Sequence, residues 1–177
     1  MRPTLLFRRL ALALALVAVG AFSGAAAAAP VDAGTIAASG LPPVVPACQS
    51  CHGTKGEGNM AAGFPRLAGA GRGYLAEQLA AFASGQRPNA VMQPIAAALS
   101  AGQQAALAGY YAALGGVQAS GSVAEPLPTQ AGAWLAARGR WTADIPACAQ
   151  CHGARGLGIG DAFPPLAGQP AATSRPS

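Results

Sequence analysis

Cys48-Gln49-Ser50-Cys51-His52 and Cys148-Ala149-Gln150-Cys151-His152 are two copies of one pattern, C-x-x-C-H, set one hundred residues apart. Together they contain all four cysteines and both histidines of the 177-residue chain. Four cysteines in an exported protein first suggest two disulfides, and a single C-x-x-C also suits a redox dithiol or half a zinc site. The histidine directly after each pair points instead to covalent attachment of haem c. On a helix the first cysteine and the histidine, four apart, share a face, and the second cysteine lies beside them. Two thioethers then hold the porphyrin edge while the imidazole ligates iron, so the cofactor cannot be lost where it could not be reloaded. A ligating histidine is neutral, and its other ring nitrogen needs an acceptor that fixes its orientation and basicity. The carbonyls of Pro65 and Pro164 are the acceptors expected.

The two motifs belong to an internal duplication. Pro46-Ala47-Cys48 returns as Pro146-Ala147-Cys148, Cys51-His52-Gly53 as Cys151-His152-Gly153, and Gly56 and Gly58 as Gly156 and Gly158. After a one-residue deletion, Phe64-Pro65-Arg66-Leu67-Ala68-Gly69 returns as Phe163-Pro164-Pro165-Leu166-Ala167-Gly168. The glycines after each histidine suit a tight loop.

Beyond the motifs the helical period is clearest in the first repeat. Leu75, Leu79 and Phe82 give residues 73–84 one apolar face, closed by Gly85. Ser100-Ala101-Gly102-Gln103 has the form of a capping box, and Leu107, Tyr110, Tyr111 and Leu114 continue it as a stripe ended by Gly115-Gly116. Short helices are expected over 36–39 and 133–140, and strand signals are absent. The expected organisation is a leader over 1–28, a first haem domain over 31–115, a linker over 116–130, and a partial second domain over 131–168. The tail over 169–177, polar with two prolines and no period, is expected to be disordered. The first repeat continues from Ala70 to Leu114, whereas only Gln169 to Ser177 follow the second, so counterparts of the later helices are missing.

Arg2, Arg8 and Arg9 ahead of the apolar run from Leu10 to Val19, and then Ala25 to Ala29, read as a secretory signal with cleavage before Ala29. That run is shorter than the ~20 residues of a spanning helix. Removing the leader takes three of the eleven Lys and Arg residues and leaves eight against six acids. Haem propionates would bring such a chain close to neutral. No basic stripe of the kind that binds nucleic acid is present.

The sixth ligand of the first iron has few candidates. With no third histidine in the chain, bis-histidine ligation is excluded, leaving Met60 and Met92. Met60 follows the haem helix too closely to cross the ring. Met92, in Asn89-Ala90-Val91-Met92-Gln93-Pro94, lies in an expected loop between two helices that could close over the far face. The segment from Gln130 to Ser177 has no methionine, lysine or tyrosine, and no histidine besides His152. The second iron therefore has no strong sixth donor in its own repeat. An open iron binds small ligands, whereas His/Met ligation raises potential and favours electron transfer. Arg66, Arg72 and Tyr74 are candidates for contact with propionates.

A-C-x-x-C-H-G, F-P-x-L-A-G, Tyr74-Leu75-Ala76-Glu77-Gln78-Leu79, Asn89 with Met92-Gln93-Pro94, and Leu99-Ser100 before a helix with Tyr110-Tyr111 together resemble the di-haem cytochrome c4-like branch of class I cytochromes c. The resemblance covers residues 46–114 and the first part of the second repeat. It implies an all-α fold of tandem cytochrome c-like haem domains, the second incomplete. It also implies a periplasmic electron carrier, not an enzyme, with no catalytic residues. Its partners would be redox donors and acceptors, including a membrane oxidase or a dehydrogenase. By that resemblance Cys48, Cys51, His52 and Met92 form a complete site, while Cys148, Cys151 and His152 supply attachment and one iron ligand. Two other readings stand beside it: a small peroxidase or gas-reactive protein using the open second iron, and a subunit of a larger oxidoreductase whose partner supplies the missing wall.

Overall fold

Asp32 opens the first helix of the protein, its carboxylate accepting a hydrogen bond from the Thr35 N–H at 3.1 Å. The computed structural model describes residues 32–118, 126–171 and 173, so the expected leader and the middle of the expected linker lie outside the described residues. Helix α1 (Ala33–Ser39) leads through the single antiparallel bridge Leu41–Val45 to the haem-motif turn α2 (Gln49–His52). Helix α3 (Arg72–Ser84) ends at Gly85, whose left-handed φ of 77° lets its N–H turn back to Phe82 O at 3.1 Å.

Residues 92–97, expected as loop, form helix α4 (Met92–Ala97) instead. Asn89 supplies the start that hydrophobic period did not signal. Its side-chain oxygen accepts from the N–H groups of Val91 at 3.0 Å and Met92 at 2.8 Å. Pro94 falls in the first turn, where a missing N–H costs no helical bond. Helix α5 (Ala101–Ala113) starts as expected: Ser100 Oγ accepts from the Gln103 N–H at 3.3 Å and Gln103 Oε1 from the Ser100 N–H at 2.8 Å.

The main buried cluster lies in this first repeat. Ile36 and Ala37 of α1, Leu75 of α3, and Leu107, Ala108 and Tyr111 of α5 meet Val45, Ala70 and Leu99. Helix α3 packs on α4 and α5, and α1 packs on α5. Small alanines on several sides of α3 blur its apolar face.

The second repeat reproduces the early elements. Helix α6 (Ala131–Arg138), two residues ahead of its expected span, leads through a 3-10 turn (Trp141–Ala143) and the bridge Arg140–Ile145 to helix α7 (Cys148–His152). Helix α6 packs on α7. Among the described residues nothing in this repeat corresponds to α3, α4 or α5, and Ile159, Phe163 and Leu166 are exposed. No strand forms among the described residues, and no helix there is long and apolar enough to cross a membrane.

The two repeats touch through main chain. The Tyr74 N–H donates to Asp161 O at 3.1 Å. The Arg66 N–H donates to Gln169 Oε1 at 3.0 Å, and Gln169 Nε2 returns a bond to Arg66 O at 2.9 Å. Pro170 is fully buried. The start of the tail expected to be disordered is thus docked at Gln169 and Pro170.

Candidate functional site

Each C-x-x-C-H segment is a single helical turn ended by a glycine. In the first, the His52 N–H bonds Cys48 O at 2.9 Å, and Gly53, at φ 83°, turns its own N–H onto Gln49 O at 3.1 Å. The chain then loops back so that the Gly58 N–H reaches His52 O at 2.7 Å, and the N–H groups of Leu67 and Ala68 bond Gly56 O at 2.8 and 2.9 Å. Gly58 has φ 80°, and a Cβ there would lie 2.7 Å from Arg66 N and 2.9 Å from Phe64 O, so only glycine fits. The second repeat has the same lacing: Gly158 N–H to His152 O at 2.9 Å, Leu166 and Ala167 N–H to Gly156 O at 2.8 and 2.9 Å.

This lacing brings a proline carbonyl under each imidazole. His52 Nδ1 lies 2.8 Å from Pro65 O, and His152 Nδ1 lies 2.7 Å from Pro164 O. A carbonyl can only accept, so Nδ1 carries a proton in both rings and Nε2 is the nitrogen left to meet a ligand. His52 is buried, and that burial holds its pKa below the ordinary histidine range despite the opposing pull of the Pro65 carbonyl. It is therefore neutral, as a ligand must be. Phe64 and Phe163 pack near the two rings, each with centroids 6.2 Å apart.

All four cysteines are free thiols, which removes the disulfide alternative among these residues. Nor do three or more His, Cys, Asp or Glu side chains converge as a metal cage among the described residues. Cys48 is partly buried, and burial pushes its thiol pKa up, while contacts with Tyr111 and with its own backbone pull it down. The Tyr111 hydroxyl, which sequence reading placed only on a helix stripe, is buried against Cys48 without a well-formed hydrogen bond. Burial and the neighbouring thiol hold its pKa well above the ordinary phenol range. A histidine with a fixed free Nε2 and two unpaired thiols on the same turn fit covalent haem c.

The other candidates fall in different places. Met92 is half-buried at the start of α4, against α3, and Met60 is 61% exposed in the loop after the haem turn. Cys148 and Cys151 are exposed, and His152 is half-buried. The Arg66 guanidinium bonds Ala68 O at 3.1 Å through Nε and Gly115 O at 2.8 Å through Nη2. Arg72 lies along α5 at Gly109, and the Tyr74 backbone faces the second repeat.

No protein-family model matches the chain. The chain is 34% identical to a cytochrome c4 of Acidithiobacillus ferrooxidans of known structure, with a TM-score of 0.58 over 71% of this chain and 74% of that one. The chain belongs to the cytochrome c4-like family. Covalent haem c is the cofactor of these cytochromes, and both attachment sequences are present here. A curated relative from Thiomonas intermedia, named thiosulfate dehydrogenase electron acceptor, is 52% identical over 74% of this chain and 60% of its own length. The chain spans about 60% of the first curated relatives it matches. It also resembles a solved thiosulfate dehydrogenase, TsdBA from Marichromatium purpuratum, with 42% identity, a TM-score of 0.68, and coverage of 80% of this chain and 30% of that one. The cytochrome c4-like fold is all-α, as the sequence led us to expect.

Proposed function

We propose that this cytochrome c4-like chain is an exported, periplasmic electron carrier with two haem c groups. One is attached to Cys48 and Cys51 with His52 and Met92 as iron ligands; the other is attached to Cys148 and Cys151 with His152 as ligand. The domain spans 31–115 and 131–168 are part of the same proposal. The observation that carries it is the matched pair of histidines, each with Nδ1 tied to a proline carbonyl and Nε2 free on a C-x-x-C-H turn. Haem c held there supplies an iron that takes up and releases one electron without bond breaking. The residues do the rest: thiols anchor, the carbonyls hold the rings in one tautomer, and the packed α3, α4 and α5 exclude water from the first site. A fixed, dry ligand set lowers the reorganisation that accompanies each transfer.

The electron donor in this reading is a periplasmic dehydrogenase, and the names of the 52% and 47% identical relatives favour thiosulfate dehydrogenase. Mixing the oxidised holoprotein with thiosulfate and catalytic thiosulfate dehydrogenase tests it. Reduction of both haems only when all three are present is expected; no reduction above the enzyme-free rate sinks the choice of donor.

One observation favours a second property for the second site. Among the described residues the second repeat has no counterpart of α3, α4 or α5, and so no counterpart of the helix that begins at Met92 in the first. Carbon monoxide is expected to bind the reduced second haem alone. A peroxidase is less well supported, because no histidine is left over for acid–base work.

A further inference from the structure

The peptide group between Pro65 and Arg66 is bonded on both of its polar ends. Its carbonyl accepts from His52 Nδ1 at 2.8 Å, and its N–H, that of Arg66, donates to Gln169 Oε1 at 3.0 Å. Gln169 comes from the other repeat, 103 residues away, and its Nε2 closes a second bond to Arg66 O at 2.9 Å. The carboxamide is held in place from behind. The Gln169 N–H bonds Leu166 O at 3.2 Å and the following Pro170 is buried.

The second repeat has no such arrangement. The residue in register with Arg66 is Pro165, which has no N–H, and the residue in register with Gln169 is Ala70. The peptide whose carbonyl holds His152 therefore cannot be bonded at its nitrogen. One histidine rests on an amide polarised from behind and the other does not.

We infer that Gln169 is a positioning residue for the first haem: by bonding the Arg66 N–H it strengthens the Pro65 carbonyl as acceptor, and so sets the basicity of His52. This rests on the reading of His52 as an iron ligand. Hydrogen bonds in series polarise one another, by roughly 10–30% per bond. A stronger acceptor at Nδ1 makes the imidazole a better donor to iron, and outer-shell bonds of this kind tune metal sites. The direction follows: Gln169 favours the ferric state of the first haem.

The test uses the full holoprotein with two variants, Gln169→Leu, which removes both carboxamide bonds, and Arg66→Pro, which removes the peptide N–H, keeps the carbonyl that Gln169 Nε2 binds, and copies Pro165 at the same register of the second repeat. Spectroelectrochemical titration gives the two one-electron steps, and the far-red band of methionine ligation marks the first haem. In the reduced protein, proton NMR reads the His52 Nδ1–H. Expected for Gln169→Leu is a first-haem equilibrium shifted about threefold toward ferrous, which is roughly 30 mV at ~59 mV per tenfold for one electron. The His52 Nδ1–H resonance should move upfield, toward a weaker hydrogen bond. Arg66→Pro should move the potential and the resonance in the same directions as Gln169→Leu. Simple undocking of the second repeat, read as lost exchange protection of the Tyr74 N–H that Asp161 O holds, would overturn the inference, as would an unchanged His52 resonance and first potential in a protein carrying both haems. A wild-type mass lacking haem at Cys48 and Cys51 would instead sink the ligand reading and this inference with it.

Discussion

Met92 and Tyr111 show how differently single residues announce themselves. Met92 was legible as a ligand candidate by chemistry, since the chain has only three methionines and one lies in the leader. Met92→Ala is expected to abolish the far-red band of an iron–methionine bond and lower the potential of the first haem, with no loss of haem mass, because both thioethers and His52 remain. Survival of the band would move the role to Met60. Tyr111 was not legible as a site residue. A buried aromatic at helical spacing reads as core, and its position beside Cys48 follows from packing of α5 on the haem turn. Its hydroxyl makes no well-formed hydrogen bond, and an unsatisfied buried donor costs about 1–3 kcal/mol. Tyr111→Phe is therefore expected to leave holoprotein stability unchanged or raise it by up to about 1 kcal/mol. Thermal melts of both proteins with haem attached check this, and a clear loss would mean that the hydroxyl finds its acceptor on the bound cofactor.

At the scale of elements, what the sequence made plain was whatever rests on local bonding. The start of α5 is read from four residues because Ser100 and Gln103 satisfy each other's backbone donors. Ser100→Ala should cost about 1 kcal/mol, the usual worth of such a cap, and lower the melting temperature by several degrees for a domain of this size. Gln103→Ala, which removes the other half of the box, should cost less, because the Ser100 bond to the helix survives. The start of α4 was missed because its cap is an asparagine three residues ahead of a helix of six, too short for an apolar period to register. The haem turns were legible down to the proline carbonyl under each ring, since covalent geometry and a fixed loop length leave little freedom. The docking of the repeats was not legible. Its donors and acceptors at Arg66, Tyr74 and Asp161 are mostly backbone atoms, which any residue type would offer.

Across the whole molecule the two repeats share a haem turn but not a core. Every residue of the main buried cluster belongs to the first repeat, whereas no residue of α6 is buried. The described part of the second repeat, about 40 residues, is below the size at which an apolar core usually holds without a staple, and covalent haem is such a staple. Attachment reads a short segment before the fold is complete, so two haems per chain are expected by intact mass, and Cys148→Ala with Cys151→Ala should leave one. Hydrogen exchange should be much faster over residues 131–168 than over 46–114. Equal protection across both would mean that something outside the described residues covers the second repeat.

The pairing of Gln169 with the backbone of Arg66 makes recognition one-sided. At that pair the first repeat presents a bare peptide and the second must bring the carboxamide. Chimaeras should follow that asymmetry: a foreign first repeat with the same loop ought to accept this second repeat, while a foreign second repeat without glutamine at that register ought to swing free of this first one. Lineages that exchanged such units by recombination would have been constrained at the glutamine codon on one side of the joint and, on the other, at Gly71 and Gly73, where a Cβ would crowd Asp161.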